Sequence, residues 1–517
     1  MSAATVLIAA ADMFFVPERR KTMKKVSVRI SALLLTVLML VTTFSSTSFA
    51  YDDQNGTQSY NSISLSDALY VNGEKLYNRR GEEVRLRGLN LGGWLIMEDW
   101  FCPISNDKKG DHYTMSILEN RFGVEKTREL YEIYQDNWIT ETDFQNIADM
   151  GFNCVRIPFW YRNFQSDDNG TWVRDENGEI DLSRLEWAVD MCRKYGIYAI
   201  LDLHGANGCQ GYTDHCGRGN DNGKSYHFFD QNNTGKRYRQ QAAELWSVIA
   251  ERFAGDPAVA MFDLLNEPMC DVPFIKRIHS HIWEFYDMAY DAIRAKDPAR
   301  IITMIGTWSI DKLPNPKSYN WKGVVYQYHQ YDDAQSDYTN RIKFGWRMGY
   351  NVPQYAGEFH PVGDKVSLDF AINAYDSNNL SWTLWTYKGY NSWAKWSDWF
   401  VYGASSADLT VNAQTDSYET IAQKWGEAMQ TNSGNFSHAR LYGVAKKYLP
   451  SANLEEAPYN TQENVENAVF DEIVYNGDYH GNIGYDTGNT LNKIRSFLLR
   501  VIDIFKMILS KPAVINK

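Results

Sequence analysis

The stretch "AMFDLLNEP", residues 260–268, decides the fold class of this 517-residue chain. It is an apolar run that ends on an amide and a carboxylate, Asn266 and Glu267, directly before Pro268. The residue before a proline is biased toward extended backbone geometry, so a helix does not continue easily at this point. The run therefore predicts a buried strand that delivers Glu267 to the surface at its carboxyl end.

Seven other short runs share this extended character, and amphipathic segments lie between them. Between the second and third runs, Leu185, Ala188, Val189 and Cys192 repeat at helical spacing, and Gly196 provides a stop. The eight runs span residues 84–91, 153–158, 197–204, 259–267, 300–306, 324–331, 352–359 and 380–387.

This alternation of runs predicts the architecture. Strands that alternate with helices form parallel sheets through right-handed crossovers. Eight such units predict an α/β fold, namely a (β/α)8 TIM barrel with enlarged top loops. An open doubly wound sheet is the rival architecture, but no glycine-rich phosphate-binding loop follows the first predicted strand.

The composition narrows the class of ligand. The chain has a formal net charge of −12 and is 14% aromatic, with 17 Trp and 33 Tyr. Nucleic acid is disfavoured as a partner, because binding it requires Lys and Arg to neutralise phosphates. Aromatic faces pack against sugar rings without demanding charge, so neutral carbohydrate suits this composition better.

The N-terminus has the pattern of an export signal. Lys24, Lys25 and Arg29 flank the start of the apolar stretch "ISALLLTVLMLV", and "SFA" follows at 48–50. The apolar stretch is too short to span a membrane as a helix. We expect residues 1–50 to be an upstream extension and signal peptide, with Met23 as the natural start, cleavage near Ala50, and a secreted or cell-surface protein.

The sequence after the predicted barrel, residues 51–450, changes character. Residues 451–488 are acidic and turn-rich, which indicates a linker. Residues 489–517 predict an amphipathic helix, which either packs back on the barrel or contacts a membrane surface, the cell envelope or a partner. We expect a monomer. The apolar stripe of this helix consists of Leu491, Ile494, Leu498, Val501, Phe505 and Ile508.

Two of the six cysteines lie close together in one predicted loop, "CQGYTDHC". Cys209 and Cys216 are therefore candidates for a disulfide, and the alternative is a zinc site that includes nearby histidines, His204, His215 and His227. An exported chain without paired C-x-x-C spacing favours a disulfide or free thiols over zinc.

Polar side chains gather at the carboxyl ends of the predicted strands, where the reactive residues of TIM barrels lie. Each of them alone could be a solvated rim residue or part of the core. Two glutamates that end two different strands, with histidine, tyrosine, asparagine and tryptophan around them, are harder to explain in that way. The set comprises Arg156, His204, Asn266, Glu267, His329, Tyr331, Glu358 and Trp385.

Two carboxyl groups that face one bound sugar suit the cleavage of a glycosidic bond. One carboxyl protonates the leaving oxygen and the other attacks or assists from the opposite face. The two groups need different protonation states and therefore different surroundings. We expect Arg156 to hold Glu358 anionic and Tyr331 to donate a hydrogen bond to it, while Glu267 occupies the less compensated position.

The motifs "VRIP", "DLHG", "LLNEP", "YHQY", "YAGEF" and "SWTLWTY", in this order, resemble glycoside hydrolase family 5 over roughly residues 84–450. The resemblance implies a retaining double displacement without metal or cofactor, with Glu267 as acid/base, Glu358 as nucleophile and Asn266 on the sugar 2-hydroxyl. It also implies that Arg156, His204, His329 and Tyr331 surround the reacting ring and that Trp385 stacks beneath it.

The N-terminal half of the chain is most similar to the exo-β-1,3-glucanase branch of that family, through "LNLGGWLIMEDW" and "DLHGANGCQ". This implies that Glu98 helps to close a pocket around a terminal glucose; the alternative is a loop ion pair. The segment "YKGYNSWAKWSDWFVYGASSADL" departs from the branch. Trp393 and Trp396 within it are candidates for subsites on the leaving-group side.

These observations predict a secreted retaining β-glycosidase that acts on β-glucans in the manner of an exo-β-1,3-glucanase. Alternatives of the same class are an endo-β-1,4-glucanase or mixed-linkage glucanase and a glycolipid β-glucosidase. A non-catalytic carbohydrate-binding barrel belongs to a different class, and the presence of both Glu267 and Glu358 argues against it.

Overall fold

The computed structural model describes residues 60–105, 110–207, 227–268, 271–272, 276–277, 279–332, 334–360, 366–390, 401–403, 408–437, 445–449 and 452. Several predictions fall outside the described residues: the signal peptide, the linker, the C-terminal helix, the pair Cys209 and Cys216, and Trp393 and Trp396. The domain boundaries proposed for these segments therefore stay predictions.

Eight parallel strands close into a barrel in chain order, which confirms the predicted fold class. Each strand pairs with its neighbours along the chain, and the eighth pairs with the first through Trp382 and Arg87. The strands are β1 (Arg87–Asn90), β2 (Cys154–Trp160), β3 (Tyr198–Gly205), β4 (Val259–Asp263), β5 (Ile301–Ile305), β6 (Val324–Gln330), β7 (Gln354–Phe359) and β8 (Ser381–Leu384).

Helices occupy most of the connections between strands. Three of them lie between β1 and β2, whereas two 3-10 turns, Ile310–Lys312 and Pro316–Ser318, connect β5 to β6. The helices are α1 (Asp111–Phe122), α2 (Val124–Trp138), α3 (Glu141–Asp149), α4 (Ser183–Lys194), α5 (Asn233–Arg252), α6 (Ser280–Lys296), α7 (Gln335–Arg347), α8 (Leu368–Ser377) and α9 (Tyr418–Lys424).

The barrel strands are buried on both faces. Every residue of β2, β3, β6 and β7 is buried. Strands of a parallel barrel pack outward against helices and inward against one another, so near-continuous apolar sequence is expected. Three charged side chains are exceptions to this apolar pattern. Arg156, Asp202 and Asp263 lie on barrel strands and are fully buried.

A buried lysine joins the chain beyond β8 to α2. Nζ of Lys388 donates to the carbonyl oxygens of Trp138 at 2.8 Å and Met429 at 2.5 Å. It also lies 4.7 Å and 4.2 Å from the ring centroids of Trp138 and Phe436. Burial lowers the pKa of Lys388 to about 7, with Asp143 acting in the opposite direction.

Smaller elements complete the described part of the chain. An antiparallel three-stranded sheet, formed by Leu69–Asn72, Lys75–Asn78 and Glu83–Val84, precedes the barrel. Cys102, Cys154 and Cys192 are buried free thiols. Among the helices that the structure describes, none combines the length and apolar character needed to cross a bilayer.

Candidate active site

Glu267 lies beyond the end of β4, in an irregular turn. The strand ends at Asp263, four residues earlier than the sequence pattern indicated. The N–H of Asn266 donates to the carbonyl oxygen of Leu203 in β3, which keeps the chain close to the barrel mouth. Glu267 itself has a positive φ of 37° and is only 1% exposed. The expectation that the strand delivers Glu267 to the surface is therefore wrong, because its carboxyl faces inward across the barrel mouth.

Glu358 lies inside β7, and the glycine before it makes room for the site. A Cβ atom at Gly357 would lie 1.8 Å from Oε1 of Gln327 and 3.2 Å from Nε2 of His329. Both of these side chains belong to the neighbouring strand β6. The glycine in the motif "YAGEF" thus allows β6 to place its side chains against Glu358.

Both carboxylate oxygens of Glu358 accept hydrogen bonds. Nη1 of Arg156 donates to Oε1 at 2.7 Å, and the hydroxyl of Tyr331 donates to Oε2 at 2.8 Å. Burial nevertheless raises the pKa of Glu358 to about 8, and the charge of Glu267 acts in the same direction. Arg156, His204 and Tyr331 lower the pKa but do not outweigh burial. Arg156 therefore acts on this carboxyl in the expected direction, toward the anion, while burial acts against it.

Arg156 is shared among three buried carboxyl groups. Its guanidinium lies 3.0 Å from Asp202, 2.8 Å from Asp263 and 2.7 Å from Glu358. Burial raises the pKa of Asp263 to about 6, although Arg156 and Gln327 lower it. Asp202 and Asp263 were not predicted from the sequence as site residues. The sequence feature that could have identified both residues is an acidic side chain within an apolar strand. Asp202 also lies two positions before His204, which places both side chains on the same face of the strand.

His329 lies between the two glutamates. Its Nδ1 is 2.6 Å from Oε1 of Glu267 and 3.3 Å from Oε2 of Glu358. One ligand atom from each of these three side chains lies within 4.8 Å of the others. Among the described residues, this trio is the group of titratable side chains that is compact enough to hold a metal ion.

His204 occupies the opposite side of the site. Its ring stacks against that of Trp385, with centroids 5.4 Å apart and planes at 11°. Nδ1 lies 2.7 Å from Oδ2 of Asp202, and Nε2 lies 3.3 Å from Nδ2 of Asn266. Burial disfavours the charged imidazolium, but the carboxylates of Asp202 and Glu98 outweigh burial and raise the pKa of His204 to about 10.

The loop after β1 brings Glu98 to the same site. Oε1 of Glu98 lies 3.6 Å from Nε2 of His204, and Nε1 of Trp100 donates to Oε2 of Glu98 at 2.5 Å. Glu98 is 2% exposed. A hydrogen bond restrains the loop that carries Glu98, because the N–H of Met97 donates to the buried carboxylate of Asp111.

Comparison with known proteins decides the family. Residues 107–391, more than half of the chain, match the model of cellulase (glycosyl hydrolase family 5). The chain belongs to glycosyl hydrolase family 5. The expectations of family membership and of a glycoside hydrolase are therefore confirmed.

Individual relatives of this family 5 chain have different names. A beta-xylosidase of Phanerodontia chrysosporium is 27% identical over 61% of this chain and 70% of its own length. Glucan 1,3-beta-glucosidase 2 of Wickerhamomyces anomalus is 30% identical over 52% of this chain and 62% of its own length. A solved endogalactoceramidase structure is similar with 18% identity and a TM-score of 0.48, over 69% of this chain and 84% of that chain.

Several further relatives are also glucan 1,3-beta-glucosidases, and the chain spans as little as 42% of the length of some of them. The resemblance to the exo-β-1,3-glucanase branch of family 5 is confirmed by these matches. The structure brings together, at the carboxyl end of the barrel, nine residues singled out in the sequence: Glu98, Arg156, His204, Asn266, Glu267, His329, Tyr331, Glu358 and Trp385.

Proposed function

We propose that this family 5 chain is a retaining β-glycosidase that removes glucose from β-glucans, with Glu267 as acid/base and Glu358 as nucleophile. The observation that carries the proposal is the approach of the two carboxyl groups, since one oxygen of each lies within 4.8 Å of the other. Retaining enzymes hold their carboxyl groups about 5–5.5 Å apart, whereas inverting enzymes need roughly 6.5–9.5 Å to admit a water molecule.

The hydrogen bonds at Glu358 support its assignment as nucleophile. Burial and the charge of Glu267 raise the pKa of Glu358, which favours one shared proton on the pair of carboxyls. Both oxygens of Glu358 already accept hydrogen bonds from Arg156 and Tyr331. Protonation of Glu358 would remove the negative charge that strengthens these two hydrogen bonds, so we assign the shared proton to Glu267.

The contact of Glu267 with His329 suits a general acid/base, which donates a proton in one step and accepts one in the next. Its Oε1 faces Nδ1 of His329 at 2.6 Å, and a neutral Nδ1 accepts a hydrogen bond from the protonated carboxyl. In the first step Glu358 attacks the anomeric carbon while Glu267 protonates the departing oxygen. In the second step Glu267 takes a proton from water, and the water oxygen displaces Glu358 from the sugar.

The remaining residues would bind the reacting glucose. Asn266 accepts from Nη2 of Arg156 at 3.0 Å through Oδ1, which fixes the orientation of the amide that we assign to the sugar 2-hydroxyl. Trp385 supplies an apolar face, because aromatic rings pack against the hydrophobic face of a sugar. Glu98 and His204 would close the far side of this subsite and so favour a terminal glucose. Trp393 and Trp396 remain our candidates for the leaving-group side.

The substrate is tested by digesting a β-1,3-glucan and a β-1,4-glucan separately and following the early products. We expect glucose alone from the β-1,3-glucan, first released as the β-anomer because the mechanism retains configuration. Initial release of the α-anomer would contradict the retaining mechanism. Mixed oligomers from the β-1,4-glucan would instead indicate an endo-acting enzyme.

A β-xyloside is the second substrate to test. The beta-xylosidase relative matches a larger share of this chain than glucan 1,3-beta-glucosidase 2 does. We expect aryl β-glucosides to be cleaved faster than aryl β-xylosides, since a closed subsite built for glucose uses its 6-hydroxymethyl group for binding. Faster cleavage of aryl β-xylosides would indicate that xylosides are the preferred substrates.

We also propose that the protein is exported and that residues 489–517 contact the barrel or the cell envelope. The charged and apolar pattern of the first 50 residues supports export. N-terminal sequencing of secreted protein should begin near Tyr51. Deletion of residues 489–517 should release the enzyme from the cell surface if this segment contacts the envelope, and a glucosylated lipid tests the glycolipid alternative.

A further inference from the structure

Two residues at the barrel mouth adopt backbone conformations that are uncommon for residues other than glycine. Glu267 has a φ of 37°, and Thr307, just after β5, has a φ of 67°. Threonine is β-branched, and such residues rarely adopt positive φ because their Cβ substituents crowd the backbone. Conformations of this kind cluster at functional sites, where the surrounding structure has to hold them.

A hydrogen bond connects these two positions. Oγ1 of Thr307 donates to the carbonyl oxygen of Pro268, the residue after Glu267, at 2.7 Å. The contact is shielded from water, since Thr307 is 5% exposed and Pro268 is buried. A buried hydrogen bond of this kind restrains the main chain directly beyond Glu267.

The residue after Thr307 holds the side-chain partner of Glu267. The carbonyl oxygen of Trp308 accepts from the N–H of His329 at 3.3 Å and from Nη1 of Arg341 at 2.8 Å. Nδ1 of His329 in turn lies 2.6 Å from Oε1 of Glu267. Residues 307–308 therefore restrain Glu267 in two ways: through the main chain that follows it, and through the histidine that contacts its carboxyl.

We propose that Thr307 is a positioning residue for the Glu267 carboxyl, an inference that rests on the proposed acid/base role of Glu267. Thr307 acts through Pro268 and does not take part in the chemistry itself. Without its hydroxyl, the turn around Glu267 loses a restraint, and the carboxyl moves away from the leaving oxygen. Proton transfer requires hydrogen-bond reach, so a small displacement slows the step that needs the acid.

Three variants isolate the hydroxyl. Thr307→Val keeps the β-branched shape and removes the donor, whereas Thr307→Ser keeps the donor and removes the methyl group. Thr303→Val is the matched control in β5, because Oγ1 of Thr303 is buried and has no hydrogen-bond partner in the described structure. We would measure kcat/KM for aryl β-glucosides whose phenol leaving groups span a wide range of pKa.

We expect Thr307→Val to lower kcat/KM on the order of ten-fold for poor leaving groups and to leave dinitrophenyl glucoside nearly unchanged, since that leaving group needs no protonation. Thr307→Ser and Thr303→Val should keep the wild-type dependence on leaving-group pKa. An equal loss for all leaving groups, or no loss, would overturn the proposal, because a merely structural role would not discriminate among them. If Thr307→Val does not fold, Thr307→Ala carries the same expectation.

The variant Glu267→Gln, measured in the same series, separates the two possible failures. If it shows a steep dependence on leaving-group pKa and Thr307→Val does not, the positioning role of Thr307 is wrong and the acid/base role of Glu267 stands. If Glu267→Gln keeps the wild-type dependence, the acid/base role fails, and the role of Thr307 fails with it.

Discussion

The two glutamates of the site are held by opposite means. Glu358 lies within a regular strand, and side chains from β2 and from the end of β6 donate to both of its oxygens. Glu267 lies in a turn at positive φ and faces Nδ1 of His329, and the hydrogen bond from Thr307 to Pro268 restrains the main chain beside it. A nucleophile must stay an anion in one place, whereas an acid/base must lose and regain a proton. The difference in support matches the difference in task.

Removal of the nucleophile should cause the largest loss of activity. Glu358→Gln keeps the hydrogen-bonding shape of the side chain but cannot form the covalent intermediate, so we expect kcat to fall on the order of 10⁴-fold or more. Steady-state kinetics on a β-1,3-glucan would measure the loss, and calorimetry should show that sugar binding persists. A variant that turns over at the wild-type rate would remove Glu358 from the mechanism.

Removal of the acid should produce a selective loss. We expect Glu267→Gln to reduce kcat/KM by about 10²–10⁴-fold for substrates with poor leaving groups and far less for an activated aryl glucoside. The ratio of the two rates is the measurement. Similar losses on both kinds of substrate would mean that the two glutamates do not differ in role as their surroundings suggest.

Removal of the Tyr331 hydroxyl should shift the pH dependence of activity. We expect a bell-shaped profile of kcat/KM in which Glu358 is ionised and Glu267 protonated between the two limbs, so the acid limb reports the pKa of Glu358, which burial raises. The hydroxyl lowers the pKa of Glu358, so Tyr331→Phe raises it, and a higher pH is needed to ionise the nucleophile. The acid limb should therefore move to higher pH, and a shift to lower pH would contradict the assignment.

Metal removal should have the smallest effect. Glu267, His329 and Glu358 lie close enough to share a cation, and such a bridge would erase the distinction between the two carboxyls. Because the proposed mechanism uses both glutamates as free carboxyls, we expect dialysis against a chelator to leave kcat/KM within error of the untreated enzyme. Loss of activity that zinc or calcium restores would replace the double displacement with a metal-assisted reaction.

The sequence was most informative where a pattern repeats. Period and spacing located all eight barrel strands, and parallel topology then required the strand-end residues to meet at one mouth. The end of β4 was misplaced because Leu264 and Leu265 continue the apolar run while the backbone already turns. Positive φ at a glutamate has no signature in the sequence.

Residues that act through other residues were missed for a different reason. Asp202 and Asp263 lie within apolar strands and touch Arg156 inside the barrel, so each one alone reads as an isolated acid. Thr307 became visible only through its hydrogen bond to Pro268, a contact between segments 39 positions apart. Long-range pairs of this kind follow from the closure of the barrel and have no local pattern.

The buried Lys388 makes the free energy of unfolding depend on pH. Its pKa is about 7 in the folded protein, against 10.5 for an ordinary lysine, so the unfolded chain binds more protons than the folded one between these values. The free energy of unfolding therefore contains a contribution that rises with pH from about 7 to 10 and is lost as pH falls toward 7. Urea titrations at pH 7 and pH 9 should show this rise in the wild type and a smaller one in Lys388→Met, whose side chain carries no proton to lose.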